Sequence, residues 1–318
     1  MDIAAIDVGG TKIVGAAVDR KGEIKTPIRV ENTGLSGEFI VETCVEIFHG
    51  LSRQHEIKAL AVGTGGRLDT ETGIVRTAVD LYTDYVGLNI KEMLEMNCHL
   101  PVAIDNDCCM ALRGELWKGG LKDYQRVAGL ILGTGVGGGV AVRKKGHYLI
   151  QQAEFGHFIL HPGGRECLCG QRGCAEQYLS GTSLWRRYNQ LRGRKEIRSG
   201  YEFFHRVKSK DETAREILNE FVKDLAVCLI SVQNLYDVEA VVIGGGLIDT
   251  RQFWWREVEC QLAQKSSHVL PRLEILPARN GNQAALLGAA RLGFEKLEAL
   301  YETRGIEKGA DCILPSHG

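Results

Sequence analysis

The chain has 318 residues, 25% of them charged, and a formal net charge of −1. That length allows two domains around a large core, and the charge balance lacks the basic stripe that nucleic acid requires. No apolar run reaches membrane-spanning length, no export signal opens the sequence, and ten cysteines in such a chain read as thiols and metal ligands rather than a disulfide framework. The expectation is a cytoplasmic protein with neither nucleic-acid nor membrane partners.

In chain order, residues 3–24 (IAAIDVGGTKIVGAAVDRKGEI) read as two strands joined by a Gly-Gly turn, and Asp19–Gly22 turns the chain into a third strand near IKTPIRVEN. Residues 37–55 carry helical periodicity, with Phe39, Ile40, Val45, Ile47, Phe48 and Leu51 apolar. IKALAVGT is a buried strand running into Gly65-Gly66, LNIKEMLEMN a helix, PVAIDND a strand ending in acid, and residues 109–117 resume a helix. VAGLILGTGVGGGVAVRKKGHYL then repeats the opening pattern of strand, glycine turn and strand, which points to a duplicated architecture with a cleft between the halves. A long amphipathic helix over 211–235, the strand VEAVVIGGGL and a last helix over NQAALLGAARLGFEKLEALYE complete the pattern, and the tail reads as loose.

Five places carry chemistry. At Asp7-Val8-Gly9-Gly10-Thr11-Lys12, glycines let backbone amides close on phosphate oxygens, Thr11 and Lys12 add a hydroxyl and a cation, and Asp7 can hold a hydrated Mg²⁺. Gly133-Thr134-Gly135-Val136-Gly137-Gly138-Gly139 has five glycines in seven positions, a composition poor for a strand and suited to a backbone that another molecule must touch. Gly244-Gly245-Gly246 is a third such place, beneath an adenine or ribose or simply a strand-to-helix turn. Asp105-Asn106-Asp107 ends a strand, where open α/β sheets bind ligands, and a carboxylate there can take a proton from a hydroxyl nucleophile; one of the three would suffice as a helix cap. Finally, His157, Cys167, Cys169 and Cys174, with Gly170 and Gly173 between, form a Cys₃His set for zinc. Four ligands leave no open coordination position, so that zinc would be structural and would orient His157, whose second ring nitrogen stays available to a ligand hydroxyl. Glu154 and Glu176 flank it. His161 reads as a surface histidine, Arg143-Lys144-Lys145 as a solvated turn, and Phe253-Trp254-Trp255 as core or subunit contact.

The motifs DVGGTK, IDND, GTGVGGG, the His–Cys–Cys–Cys knuckle and IGGGL occur in this order in the ROK family of bacterial sugar kinases and sugar-responsive repressors, and the chain resembles that family from about residue 2 to about residue 300. The resemblance implies an α/β fold of the actin-like (ribonuclease H-like, hexokinase-type) ATPase class. Two α/β domains would close on an interdomain cleft: residues 1–115 plus 291–306 as the small domain, 116–290 as the large one with zinc, and 307–318 as a tail. It implies ATP and Mg²⁺ as cofactors beside structural Zn²⁺, with phosphates held by Asp7, Gly9, Gly10, Thr11, Lys12, Gly133, Thr134 and Gly135 and the nucleoside near Gly244, Gly245 and Gly246. Asp107 matches the family's catalytic base, and Gly66, Arg67, Asn106, Glu154, His157 and Glu176 match sugar-contacting positions. The implied activity is transfer of the γ-phosphate to the 6-hydroxyl of a hexose or N-acetylhexosamine. The Gly65-Gly66-Arg67 form resembles N-acetylmannosamine kinases and the segments CGQRGCAEQYLSG, DLAVCL and VVIGGGL resemble N-acetylglucosamine kinases, with a glucokinase or another hexokinase as the alternative. The family's repressors carry a helix-turn-helix ahead of the sugar domain, whereas this sequence starts at the phosphate loop, which favours a kinase over a non-catalytic sugar sensor. Family members are commonly dimers or tetramers. Two departures are Cys108-Cys109 in place of Ala-Asn after the base, and Asp80 where many members have Asn.

Overall fold

Ile3–Ile6 are completely buried at the start of β1 (Asp2–Val8), and the apolar run of β4 (Ile57–Thr64) is buried on both faces, as parallel central strands require. The computed structural model describes residues 1–31, 36–78, 84–121 and 123–303; Asp80 and the tail 307–318 lie outside the described residues. Two units form, one from residues 1–107 together with α9 from Ala289 onward, the other from Cys108–Gly288.

In the first unit, β1, β2 (Lys12–Asp19) and β3 (Ile24–Glu31) form an antiparallel meander, α1 (Gly37–Ser52) leads to β4, and a small hairpin of β5 (Arg67–Leu68) and β6 (Val75–Thr77) precedes α2 (Ile90–Cys98) and β7 (Val102–Asn106). The sheet order is β3-β2-β1-β4-β7, with β4 parallel to both β1 and β7. The Ser36 hydroxyl caps α1 by accepting from the Phe39 amide at 3.2 Å. The helix buries Ile40, Cys44, Ile47 and Leu51, a spacing of about one turn. Ile47 fits where β2 has Gly15: a Cβ there would stand 2.3 Å from the Ile47 side chain.

The second unit repeats the plan. After α3 (Asp107–Lys118) come β8 (Arg126–Leu132), β9 (Val136–Lys144) and β10 (His147–Gln152), then α4 (Glu176–Leu179), α5 (Gly181–Arg192), α6 (Gly200–Lys208), α7 (Glu212–Tyr236), β11 (Ala240–Gly244), α8 (Trp255–Lys265), β12 (Glu274–Pro277) and the first turn of α9 (Ala284–Thr303), whose remainder belongs to the first unit. The order β10-β9-β8-β11-β12, with β11 parallel to β8 and β12, is that of the first sheet. The duplication expected from the two glycine hairpins is therefore present in topology. Tyr188, Phe203, Phe221 and Trp254 fill the core. Trp254, 1% exposed, meets Phe221 edge-on at 5.7 Å and is core, while half-buried Phe253 stacks on Phe204 and half-buried Trp255 lies against Trp254.

The expected boundary at 115/116 falls inside α3, whose body belongs with the second unit because two glycines bring it against the start of α9. A Cβ on Gly114 would stand 2.0 Å from the Ala284 carbonyl oxygen, and one on Gly288 only 1.7 Å from that of Met110. Gly288→Ala is expected to destabilise the protein by about 2 kcal/mol or more, since backbone cannot yield as a side chain does. Helix propensity alone would give a gain of about 1 kcal/mol. Urea denaturation midpoints decide: a midpoint equal to or above wild type contradicts the packing. No described helix is long and apolar enough to cross a membrane.

Candidate active site

The parallel register of the first sheet sets Val8 beside Thr64 and Thr64 beside Asn106, so the loops leaving β1, β4 and β7 emerge together at the carboxyl edge. The first loop is the Gly9–Thr11 turn, closed by the Gly9 amide donating to the Lys12 carbonyl at 2.9 Å. The second contains Gly66, whose φ of +95° suits glycine. Buried Asn106 fixes that loop: its Nδ2 donates to the Gly66 carbonyl at 3.0 Å, while its own amide donates to Asp105 Oδ1 at 2.7 Å. Arg67 follows, exposed, at the root of the β5–β6 hairpin. Asp69 stiffens the hairpin by accepting from the Thr72 and Glu71 amides and from Arg76 at 2.6 Å; the bonds from Thr72 and then Arg76 hold its carboxyl down at about 2. The third loop has no turn at all. Asp107, expected to close a strand two residues ahead of a helix, is itself the first residue of α3.

Asp7, at the end of β1, is pushed from 3.8 up to about 7, first by burial and then by the Asp107 carboxylate, against the opposing pull of Lys12. Two carboxylates and one ammonium thus share this edge, with more negative charge than the local cation offsets. The chemistry fits a divalent cation: hard, carboxylate-seeking and two-plus. The sign of the linkage is set by the raised value. The contribution of Asp7 to stability is complete below about pH 4 and is lost as pH rises through about 7, because the folded state holds the proton more tightly. Without divalent cations, acidification from about pH 8 to about pH 5 is expected to stabilise wild type more than Asp7→Asn in urea titrations, and millimolar Mg²⁺ should shrink the difference. Identical pH profiles for the two proteins would contradict this.

In the second unit the corresponding edge carries Gly133–Gly135. The Gly133 amide donates to the Gly135 carbonyl at 3.0 Å, and the Gly181 amide at the start of α5 donates to the Gly133 carbonyl at 2.8 Å. Glu176 Oε2 accepts from the Val136 amide at 2.9 Å and occupies the space a Cβ on Gly135 would need, so this carboxylate anchors the turn itself. Gly245, φ +82°, passes beside the Leu132 carbonyl, which brings Gly244–Gly246 next to the same turn. Gly137, Gly138 and Gly139 lie elsewhere than expected: they form part of β9. Packing demands them, since a Cβ at Gly138 would stand 2.4 Å from the Phe155 ring and one at Gly137 2.5 Å from Cys108 Sγ. Of the seven-residue run, only residues 133–135 make the turn.

The four expected metal ligands converge. Their ligand atoms all lie within 4.8 Å of one another, with Cys167 Sγ 3.8 Å from His157 Nδ1 and Cys169 Sγ 3.6 Å from Cys174 Sγ. A tetrahedron with Zn–S near 2.3 Å has edges of about 3.8 Å, so the set matches zinc in both softness and size. Gly170 and Gly173, at φ +87° and +85°, supply the bends. With Nδ1 turned to the thiols, Nε2 is the nitrogen left to other partners. The His157 amide donates to the Glu154 carbonyl at 3.0 Å, Gln152 holds Glu154 Oε1 at 2.9 Å, and the Glu176 amide donates to the Gly156 carbonyl at 2.8 Å, tying all three side chains to one framework. Sequence reading missed the brace behind it. Exposed His161 pairs with Asp224 of α7 at 2.8 Å and lies against Tyr178, over which Arg165 also sits at 4.3 Å. Polar residues scattered over two helices and a loop give no local signal.

Residues 3–296 match the model of the ROK family. The chain is 32% identical over 310 residues to a glucokinase of Streptomyces coelicolor, covering 91% of this chain and 96% of that protein. It is 32% identical over 311 residues to an N-acetyl-D-glucosamine kinase of Escherichia coli, covering 90% and 97%. Among solved structures, a ROK family glucokinase from Streptomyces griseus in complex with glucose and AMPPNP superposes with a TM-score of 0.79 at 28% identity, over 93% of this chain and 100% of that one.

Proposed function

The chain belongs to the ROK family, and from that premise we propose that it is a cytoplasmic, ATP-dependent sugar kinase that phosphorylates the 6-hydroxyl of a hexose or N-acetylhexosamine, N-acetylglucosamine or N-acetylmannosamine being favoured. The observation that carries the reading is Asp107, the first residue of α3, sharing a carboxyl edge with Asp7, Lys12 and the Asn106–Gly66 clamp. In the proposed reaction Asp107 accepts the proton of the sugar hydroxyl, the oxygen forms a bond to the γ-phosphorus, and the bond to the β-γ bridging oxygen breaks to release ADP. Lys12 and the amides of Gly9–Thr11 and Gly133–Gly135 hold phosphate oxygens, and Gly244–Gly246 passes beneath the nucleoside. Asn106, Glu154, His157 Nε2, Glu176 and the Gly66–Arg67 loop orient the sugar; a pyranose needs several fixed donors and acceptors, which this set supplies.

When bound, Mg²⁺ would neutralise phosphate charge, and Asp7 is the residue to hold it through its water shell. Zinc on His157, Cys167, Cys169 and Cys174 would fix the imidazole and leave no position for catalysis. Relatives named for glucose and for N-acetylglucosamine stand at equal identity. The preference for the N-acetylated sugars therefore rests on the Gly65-Gly66-Arg67 loop and the knuckle segment. Initial rates of ADP release over hexoses and N-acetylhexosamines, with phosphorus NMR of the product, test the reading: the highest kcat/KM is expected for an N-acetylhexosamine giving a 6-phosphate. A higher value for glucose would make it a glucokinase, and sugar binding without turnover would make it a sensor. Light scattering checks the homo-oligomer, dimer or tetramer, that the family reading brings.

A further inference from the structure

Residues 181–210 contain nine Lys and Arg against two Glu, a net of +7 in a chain whose total is −1. Three of these cations, Arg192, Arg206 and Lys208, sit in the last turns of α5 and α6, where the helix dipole accounts for them. Arg194, Lys195 and Arg198 lie in the loop between the helices, exposed. That loop is built. Buried Asn189 accepts from the Glu196 and Ile197 amides at 2.8 and 3.1 Å and donates to the Ile197 carbonyl at 2.7 Å. Glu196 gathers Arg192, Arg194 and Arg206 at 3.0, 2.8 and 3.5 Å, one carboxylate among three guanidiniums. Lys195 and Arg198 have no ion pair with any described residue.

The loop leads directly to the glycine turn. It ends at Ser199-Gly200, and a Cβ on Gly200 would stand 3.3 Å from Gly181 Cα. Gly181 in turn is bonded to the Gly133 carbonyl. Arg198 Cα is therefore within about 7 Å of a residue packed on the start of α5. The screening length is about 10 Å in 0.1 M salt and about 30 Å in 0.01 M, so the loop's field reaches the Gly133–Gly135 turn at low ionic strength and fades at high. From this juxtaposition we propose that the Arg194–Arg198 loop is a capture surface for the polyphosphate chain of the phosphoryl donor, drawing it to the glycine turn. The proposal rests on the kinase reading for the donor's identity, and on charge and placement for the surface.

Binding of MgATP and, separately, of inorganic tripolyphosphate is measured by calorimetry, without sugar, for wild type and for the triple variant Arg194→Gln, Lys195→Gln, Arg198→Gln at about 20 mM and about 300 mM KCl. Arg192 and Arg206 remain with Glu196, and an unchanged melting temperature confirms the variant's fold. The expected result is a Kd about fivefold higher in the variant at low salt for both ligands, shrinking to less than about twofold at high salt, with kcat at saturating ATP unchanged. Equal affinities at low salt would overturn the proposal. So would a loss of the same size at both salts, or one seen with ATP and not with tripolyphosphate. Because no sugar is present, absence of sugar turnover would count against the kinase reading alone.

Discussion

Asp107→Asn is expected to lower kcat by about 10²–10⁴-fold, the usual contribution of a positioned general base, while the Kd for sugar changes by less than about threefold. The substitution keeps a polar group of the same shape at the head of α3, where Asn is as good a helix start as Asp, so neither the fold nor the Asn106–Gly66 clamp next to it needs to move. What is lost is an acceptor for the hydroxyl proton. A second signature accompanies the loss. The Asp107 carboxylate is one of the groups that raise Asp7 toward about 7, so removing its charge should return Asp7 toward its ordinary range. The acid stabilisation of the cation-free protein should then weaken together with turnover. Rapid-quench kinetics and urea titrations at several pH values read the two effects. Full turnover in the variant would remove Asp107 as the base whatever else it does.

Cys169→Ser is expected to strip the metal from the His157–Cys167–Cys169–Cys174 set and to cost about 3 kcal/mol or more of stability, because metal binding free energy is folding free energy where the site cannot form otherwise. The segment from Ala153 to Cys174 has little regular structure; its near end is anchored by buried Ala153 and Phe155, while the stretch from His161 to Cys174 is held by two glycine bends and short amide bonds. Four ligand bonds to a bound ion would therefore add a tie that its backbone bonds and the buried Phe155 do not supply. The damage should reach beyond the knuckle. Glu176 lies two residues past Cys174 and also anchors the Gly133–Gly135 turn through the Val136 amide, so a loosened knuckle should raise the KM for sugar and for ATP together. Cys260→Ser, an exposed thiol on α8 far along the chain from the ligands, is the control and should leave metal content and stability unchanged. Metal analysis of freshly purified protein should find about one zinc per chain in wild type and in the control. Wild-type protein without zinc, or a Cys169 variant that keeps it, would contradict the assignment.

Much of the fold was readable because its signals are local. Continuous apolar runs marked β4, β7 and β11, which are buried on both faces, and periodic apolar positions marked α1, α7 and α9. The duplicated sheet was visible in its two glycine hairpins since each opens its sheet with the same strand–turn–strand. The Cys₃His cluster was readable because its spacing is that of a metal-ligand set, and the four side chains do converge. Elements stabilised mainly by what packs on them were not. α5 carries three arginines in twelve residues and α6 is only nine residues long; both owe their place to Tyr188, Phe203 and Phe204 beneath them. β12 is four residues long and is fixed by pairing with β11. Gly137–Gly139 looked like turn residues because glycine is a poor strand former; the side chains of Phe155 and Cys108 leave no room for anything larger there. Residue types at the site could be listed from sequence, but the Glu176–Val136 bond and the Asp7–Asp107 pairing required the register of the strands that present them.

The most direct test of the central claim is a crystal structure of the protein with its sugar and a non-hydrolysable ATP analogue. A sugar hydroxyl about 2.6–3.2 Å from an Asp107 carboxylate oxygen, and in line with the terminal phosphate, is the predicted result. A sugar whose phosphate-facing hydroxyl is held by some other group, with Asp107 out of hydrogen-bonding reach, would contradict it.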